Sequence, residues 1–457
     1  MAAFCRQFAY FMAFFLFFQL NSASAGGLIR DTEVETVFQD AVLLMAEEAG
    51  FPNGVEIRIV LDPSYNAFVR GGQTVYIHSG LLLSARSAEE ILGVIAHEIG
   101  HLAAGHVPLR QEAVSDANLA TALTALAAAA VASTGSTEAA VGVAIGGTDR
   151  AKRQYMSTSR KDEAVADEWA LKLLDKAGIS SHGLTDFMRR QASLRMLPES
   201  RQSEYYTTHP GAKERLATFS DHSAQFSQNK ALSKIEQQRL ARAVLKLAAY
   251  TQPLSTLKDA TFRLDWTRSS SNPAKIIPDK TSLNYARAIA LFMRGELNAA
   301  DKLMSDLLEQ NKLDVWLAEF AGDIDLSGGR PKQAAIHYAN ALHLRPDSPQ
   351  ISLSLGRALI AVNDKAVLNE AIEALLAAER GEPEWSFVKR QLAIAYGRNG
   401  QLAEADITLA EEALLARDEP RAAQMAKRAL SNKSAKEHIK AKARDILFQM
   451  NIPDTPD

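Results

Sequence analysis

The sequence predicts a mainly α-helical (α+β) protein: an N-terminal domain built around a small β-sheet is followed by an α-helical solenoid of repeats. Residues 55–62 and 73–79 alternate apolar and polar side chains as half-buried strands do. Residues 32–48 instead repeat apolar side chains at the spacing of an amphipathic helix. In the C-terminal part, small residues recur at a fixed period, which is typical of stacked helical repeats.

The composition is that of a globular protein long enough for two or three domains. The 457 residues are 47% apolar and 23% charged, and the net charge is −3. Because the sequence has no long basic stripe, nucleic acid is not expected as a partner. After residues 1–25 we expect a first domain over 26–266, a linker over 267–280 that contains TRSSSNPAK, a repeat domain over 281–450 and a disordered tail over 451–457.

The first residues have the pattern of a secretory signal peptide. Arg6 supplies a positive charge, an apolar run extends from Phe8 to Phe18, and Ala23-Ser24-Ala25 is a small-x-small cleavage pattern. The run is shorter than the roughly 20 residues that a membrane-spanning helix needs. We therefore expect cleavage after residue 25 and a periplasmic location in a bacterium. Cys5, the only cysteine, would be removed, so any metal must be bound by histidine and carboxylate side chains.

Residues 115–147 are rich in alanine and are interrupted by the sequence STGST. Each half is too short to cross a bilayer. Three interpretations stay open: two closely packed small-residue helices, a mobile lid over a cleft, or a segment in peripheral contact with a membrane surface.

The C-terminal part has the period of tetratricopeptide repeats. Ala300 and Ala334 are 34 residues apart, as are Ala371 and Ala405, whereas the step from Ala334 to Ala371 is 37 and predicts a short insertion. We expect four units and a degenerate fifth near residues 421–448. The concave face of such a solenoid binds helices or extended peptides, so the repeats are predicted to bind protein clients or a larger assembly.

The segment VIAHEIGHLAAGH, residues 94–106, contains His-Glu-x-x-His on a predicted helix that begins after Ser87 and extends to about the end of this segment. On a helix, His97 and His101 project from the same face, so both imidazoles can bind one cation. Glu98 is turned about 100° around the axis and lies beside the metal, where a general base is needed. The pattern also occurs by chance, so a zinc site requires a third ligand from another element.

A second predicted helix, in the stretch SRKDEAVADEWALKLL, offers this ligand. Glu163 and Asp167 lie four residues apart on one face. Glu163 would bind the metal, and Asp167 would accept the other ring N–H of a ligand histidine. Taken alone, the pair also fits a solvated acidic face paired with Lys161 or Lys172. Together with the first motif, it predicts a site for one Zn²⁺ per chain.

Three stretches carry a family resemblance: YNAFVRGGQTVYIHSGLLLSARSAEEILGVIAHEIGHLAAGH, SRKDEAVADEWA and THPGAKERL. They resemble the zinc metallopeptidase family that includes the CAAX prenyl endopeptidases and HtpX. With the signal-peptide pattern and the repeats, the chain is similar to the periplasmic BepA-type members of that family. The resemblance implies a zincin-like metallopeptidase domain. It also implies that unfolded or misassembled outer-membrane proteins are substrates and that the outer-membrane assembly machinery is a partner of the repeats.

The same resemblance implies roles for individual residues. It makes His97, His101 and Glu163 the zinc ligands, Glu98 the general base, and Asp167 the hydrogen-bond partner of a ligand, in agreement with the interpretation from spacing. The expected reaction is hydrolysis of a peptide bond without a covalent intermediate.

Several side chains near these motifs keep more than one interpretation. His209, in THPGAKERL, could donate to the oxyanion of the tetrahedral intermediate, occupy the open zinc position in a self-inhibited resting state, or be a structural loop histidine. Arg215 could neutralise a cleft carboxylate or be an ordinary surface arginine. His106 would point away from the ligand face and is interpreted as a packing residue. The strand near Val75 to Ile77 is the candidate edge for pairing with an extended substrate.

A different class of function stays open beside the protease. The protein would then be a chaperone or scaffold that acts through its repeats, with a structural or self-inhibited zinc site. His209 could be the residue that closes such a site.

Overall fold

The structure is a computed structural model. It describes residues 27–70, 72–106, 160–194, 209, 212–225, 232–251 and 278–452. These residues divide into two compact units, one that ends at Leu283 and one that begins at Asn284. The predicted signal peptide and the alanine-rich segment lie outside the described residues, as do most of the predicted linker and of the tail.

The N-terminal unit contains a four-stranded sheet in the order β1-β2-β4-β3, with strands at Leu28–Ile29, Glu56–Val60, Ala67–Val69 and Thr74–His78. The parallel pair β2 and β4 corresponds to the two strands predicted from alternation. The strand predicted to form an edge, near Val75 to Ile77, is β4, and this prediction is wrong. Among the described residues, the three-residue strand β3 pairs antiparallel with β4 and forms the edge instead. So short a strand carries too little alternation to be recognised in the sequence.

Helices make up most of the remaining described residues of the N-terminal unit. They are α1 (Thr32–Glu48), α2 (Ser79–Ser84), α3 (Ala88–Ala103), α4 with its described part at 160–177, α5 (His182–Leu194), α6 (Ala212–Gln225) and α7 (Lys234–Thr251). α3 starts as the sequence predicts, because the Ser87 hydroxyl accepts a hydrogen bond from the backbone N–H of Glu90 at 3.1 Å. Every side chain from Ala88 to His101 is buried, so α3 is the central helix of this unit.

Two glycines let neighbouring helices approach α3 closely. A Cβ atom at Gly93 would lie 2.8 Å from the Cβ atom of Leu184 on α5. A Cβ atom at Gly100 would lie 2.6 Å from the backbone oxygen of Ala166 on α4. Because α4 can pack this closely, the carboxylates near Ala166 reach the histidine face of α3.

The C-terminal unit is a series of consecutive helices, and the first of them begins four residues before the boundary at Asn284. They are α8 (Lys280–Met293), α9 (Leu297–Gln310), α10 (Val315–Ser327), α11 (Pro331–Leu344), α12 (Pro349–Val362), α13 (Leu368–Gly381), α14 (Ser386–Arg398), α15 (Leu402–Leu415), α16 (Glu419–Ser431) and α17 (Glu437–Gln449). The turns within successive pairs contain Gly295, Gly329, Asn363 and Gly400, with φ angles of 77°, 74°, 59° and 81°. Glycine and asparagine tolerate this left-handed conformation best, which explains their recurrence.

The predicted insertion is a single additional turn. α11 and α15 begin two residues after Gly329 and Gly400, whereas α13 begins five residues after Asn363. The three additional residues form the 3-10 turn Lys365–Val367. The repeats and the small sheet confirm the predicted fold class. Among the described residues, no helix has the length and apolar content needed to cross a membrane.

Candidate metal centre

Four side chains predicted from the sequence converge in the core of the N-terminal unit. Ligand atoms of His97, His101, Glu163 and His209 all lie within 4.8 Å of one another, and all four residues are buried. The first two come from α3 and Glu163 comes from α4, whereas His209 lies three residues before α6. The structure therefore joins three parts of the chain at one point.

The distances within the cluster fit a metal ion of the size of Zn²⁺. Nε2 of His97 lies 3.2 Å from Nε2 of His101 and 3.2 Å from Oε2 of Glu163, and the third distance, between His101 Nε2 and Glu163 Oε1, is 3.4 Å. Ligands bound tetrahedrally to zinc at about 2.0–2.1 Å lie roughly 3.3–3.4 Å from one another. Three neutral or anionic donors at this spacing can hold one cation.

His209 occupies the fourth vertex of the same arrangement. Its Nδ1 atom lies 3.4 Å from Nε2 of His97 and 3.0 Å from Oε2 of Glu163. Its other nitrogen, Nε2, lies 3.5 Å from Oε1 of Glu98. The imidazole of His209 therefore lies between the ligand atoms and the carboxylate that was predicted to be the general base.

Asp167 is in contact with His97, as the spacing on α4 predicts. Its Oδ1 atom lies 2.9 Å from Nδ1 of His97. This contact places the proton of a neutral His97 on Nδ1 and leaves the lone pair of Nε2 directed at the cluster. All six predicted site residues are therefore brought together by the fold.

Arg215, whose position the sequence left open, is buried against the same carboxylates. Its Nε and Nη2 atoms each donate to Asp167 at 2.7 Å, in the fork geometry typical of arginine and carboxylate. Its Nη1 atom donates to Oε2 of Glu163 at 2.8 Å. The interpretation as a surface arginine is wrong. Its placement depends on how α6 packs on α4, for which the sequence contains no local signal.

The protonation state of each group in the metal centre depends on the charges of its neighbours. Burial and the charge of Arg215 lower the pKa of His97, but hydrogen bonds to Asp167 and Glu163 outweigh them and raise this pKa to about 9. Burial raises the pKa of Glu163, yet the charges of His209 and Arg215 hold it well below its ordinary value. Without a metal, these contacts favour an ionised Glu163 and a protonated His97. A metal that binds Nε2 must displace a proton from His97.

One side chain near the cluster makes a contact that its place in the sequence does not predict. His106 is buried, which fits its interpretation as a packing residue, and its Nδ1 atom also lies 2.9 Å from Nδ1 of the ligand-type histidine His101. The sequence signal that could have indicated this contact is Gly105, whose φ angle of 68° ends the helix and turns the chain back.

Comparisons with known proteins agree with this geometry. Residues 29–223 match the model of peptidase family M48. These residues form an M48 peptidase domain. All four clustered side chains lie inside the M48 domain, and peptidases of this family depend on a metal. The predictions of family and of a metalloendopeptidase are confirmed.

The relatives match different lengths of this chain. The chain is 22% identical over 355 residues to the beta-barrel assembly-enhancing protease of Yersinia pestis, which covers 77% of this chain and 70% of that protein. It is 24% identical over 304 residues to the protein of the same name from Escherichia coli K12, with 66% and 60% covered. It is 31% identical over 176 residues to metalloprotease YcaL of Escherichia coli K12, with 37% and 63% covered.

Proposed function

We propose that the protein is a zinc-dependent endopeptidase of the bacterial periplasm that hydrolyses peptide bonds in unfolded or misassembled outer-membrane proteins. The observation that carries the proposal is the buried set of three ligand atoms at zinc-compatible spacing, with Glu98 beside it. One Zn²⁺ per chain would be held by His97, His101 and Glu163.

Each side chain then has a defined task. When bound, Zn²⁺ supplies a Lewis acid that polarises the scissile carbonyl and increases the acidity of water. Glu98 accepts the proton of the attacking water and transfers it to the leaving amine. Asp167 holds His97 in the tautomer that leaves Nε2 free to bind, and Arg215 balances the charge of Asp167.

For His209 we propose the self-inhibited resting state rather than the oxyanion role. Its Nδ1 atom is about as close to His97 Nε2 and to Glu163 Oε2 as the ligand atoms are to one another, which supports a fourth ligand. Its Nε2 atom also faces Glu98, so the imidazole takes the space that an attacking water needs. Movement of His209 out of the cluster would open that space to the substrate.

Replacement of His209 with alanine distinguishes these roles. We expect His209→Ala to increase cleavage of an unfolded substrate, because the inhibitory ligand is removed while three ligands remain. Loss of cleavage would indicate the oxyanion role instead. Unchanged cleavage with unchanged zinc binding would leave His209 as a structural loop residue and contradict both roles.

The proposed substrate class is supported by the edge of the sheet, the repeats and the relatives. The outer edge of β3 offers backbone groups to an extended segment, which only an unfolded part of a protein presents. Two of the similar proteins are named beta-barrel assembly-enhancing proteases. By analogy, we propose that the repeats select outer-membrane clients or bind the assembly machinery. A periplasmic location is supported by the signal-peptide pattern of residues 1–25 and by these relatives.

The test pairs zinc content with cleavage of casein for wild type and Glu98→Gln. We expect about one zinc per chain in both proteins, and a decrease in cleavage of about 10²–10⁴-fold in the variant. Glu89→Gln is a matched control, because Glu89 is also buried on α3 and lies about two and a half turns nearer the N-terminus of the helix. Equal losses in the two variants would contradict the role of Glu98.

The chaperone or scaffold function is a separate outcome of the same experiment. The specific observation in its favour is the filled fourth vertex at His209, which resembles a closed structural site. If wild type and His209→Ala both bind zinc and neither cleaves casein, the protease proposal fails and the chaperone remains. If neither binds zinc, both proposals fail.

A further inference from the structure

The second ligand-type histidine, His101, has its own buried partner. Its Nε2 atom faces the metal cluster, whereas its Nδ1 atom lies 2.9 Å from Nδ1 of His106. His106 is only 5% exposed. The contact therefore joins two buried imidazoles through the nitrogens that do not face the cluster.

The end of α3 explains how His106 reaches this position. In a continuous helix, a residue five positions after His101 would be turned about 140° away from it. Instead, α3 ends at Ala103, and Gly105 adopts a left-handed φ angle of 68°. The backbone N–H of Gly105 bonds to the carbonyl oxygen of Leu102 at 3.0 Å. This glycine-dependent turn directs His106 back toward the side of α3 that carries His101.

The chemistry of metal binding determines which nitrogen carries each proton. If Nε2 of His101 gives its lone pair to a metal, the proton of this neutral imidazole must be on Nδ1. That N–H can donate only if Nδ1 of His106 is unprotonated, so the proton of His106 must be on Nε2. Nε2 of His106 lies 3.9 Å from Oδ1 of Asp162. The negative charge of Asp162 favours this tautomer.

We propose that His106 is a positioning residue that holds His101 in its metal-binding tautomer and orientation, with Asp162 stabilising the proton on the far side of His106. The arrangement extends the metal site along α4, because Asp162 and Asp167 flank Glu163 in sequence. In this arrangement His97 donates to the carboxylate of Asp167. His101 donates to the imidazole of His106, whose other nitrogen faces the carboxylate of Asp162. This inference rests on the proposed metal site.

Two other roles for His106 are less consistent with the contacts. As a fifth ligand, it would need a nitrogen directed at the cluster, but its near nitrogen meets the outer nitrogen of His101. As a packing residue, it would be replaceable by any side chain of similar volume. The distinction between hydrogen bonding and volume is what the experiment must measure.

The experiment compares the zinc affinity of the full-length wild type with His106→Phe and His106→Asn, by competition with a chromogenic zinc chelator. Phenylalanine keeps a ring but accepts no hydrogen bond, whereas the amide oxygen of asparagine lies where Nδ1 of histidine was. Loss of such a hydrogen-bond partner typically weakens metal binding by about 10–100-fold. We expect about a 10-fold weaker affinity for His106→Phe and a value within about 3-fold of wild type for His106→Asn.

A second buried histidine provides the control. His78 is 6% exposed and its Nδ1 atom lies 2.7 Å from the hydroxyl of Ser64, but it is not part of the metal cluster. His78→Phe is expected to keep the zinc affinity of wild type even where it changes thermal stability. The Co²⁺-substituted proteins give an independent readout, since the visible absorption of Co²⁺ reports ligand geometry and should change in His106→Phe alone.

The outcomes separate the inference from the function on which it rests. A wild-type protein that binds no zinc contradicts the proposed function itself. Zinc binding by wild type with equal affinity in His106→Phe, or with equally weakened affinity in the asparagine and phenylalanine variants, overturns only the role of His106.

If His106→Phe does not fold, the ¹⁵N shifts of the imidazoles in zinc-loaded wild type decide the question. The signal of His106, assigned by its absence in His106→Asn, should show a proton on Nε2. A proton on Nδ1 would overturn the proposal.

Discussion

The M48 domain and the C-terminal repeats both bury carboxylates, but they neutralise them differently. In the repeats, Lys389 of α14 lies between Glu379 of α13 and Glu411 of α15, at 2.6 and 3.0 Å. The fully buried Glu412 meets Arg390 and Arg421, at 2.6 and 2.9 Å. Lysine and arginine side chains from neighbouring helices therefore neutralise these carboxylates.

In the metal centre, the neighbours of the buried carboxylate are mostly imidazoles. Glu163 lies within 3.4 Å of nitrogens of His97, His101 and His209, and its permanent cation is Arg215. Imidazole lone pairs directed at one point repel one another unless a proton or a metal lies between them. The comparison shows that buried charges in the repeats stabilise helix stacking, whereas those in the M48 domain form a site that can accept a cation.

The largest effect on stability is expected from the arginine of the metal centre. Arg215→Met leaves two buried carboxylates without their guanidinium, and breaking such a buried pair typically costs about 3–5 kcal/mol. We expect the metal-free M48 domain to unfold at a clearly lower urea concentration. Arg421→Met in the repeats is the matched control: its side chain is 38% exposed, so we expect a loss of about 1 kcal/mol or less. Equal losses would remove the distinction between the two regions.

A smaller effect is expected where α3 and α4 touch. Gly100→Ala adds a Cβ atom 2.6 Å from a backbone oxygen of α4, so the helices must separate, at a cost of about 1–3 kcal/mol. Zinc affinity should fall as well, because α4 carries Glu163. Gly397→Ala in α14 is the control, since its Cβ atom would meet only Ala405 at 4.0 Å and should stabilise the repeats by about 0.5–1 kcal/mol. Unchanged zinc affinity in Gly100→Ala would argue against this helix contact as the determinant of the site.

A modest effect is expected from the central lysine of the repeats. Lys389→Met removes the cation shared by Glu379 and Glu411, which we expect to lower the free energy of unfolding of the repeats by about 1 kcal/mol. Zinc content and casein cleavage should not change, and thermal unfolding together with metal analysis measures both. Loss of zinc would contradict the separation of structural and metal-binding charges.

The smallest effect is a pH dependence of the repeats. Burial raises the pKa of Glu411, but hydrogen bonds from Lys442 and Lys389 outweigh it and lower the pKa below its ordinary value of 4.5. Such a carboxyl stabilises the fold above that ordinary value, and the contribution is lost as pH falls through the lowered pKa. We expect the unfolding temperature of the repeats to decrease in this acidic range, and Glu411→Gln to reduce the decrease. An identical pH profile for the variant would contradict this assignment.

Much of the site could be predicted because its spacing is local. His97 and His101 lie one helical turn apart, as do Glu163 and Asp167, and helix geometry alone places each pair on one face. The 34-residue period likewise indicated the repeats, and the 37-residue step indicated the 3-10 turn Lys365–Val367. The edge strand was misjudged because β3 has only three residues, and strand order depends on pairing between distant segments.

The sequence by itself determined which side chains face one another within a helix and where helices begin and turn, because these features depend on neighbouring residues. Only the tertiary structure decided that α4, which carries Glu163, approaches α3 at Gly100, that His209 and Arg215 enter the same cluster, and that His106 turns back onto His101. These contacts join residues up to 118 positions apart, as between His97 and Arg215. Except for the turn at Gly105, they depend on close packing between distant segments, which no local pattern specifies.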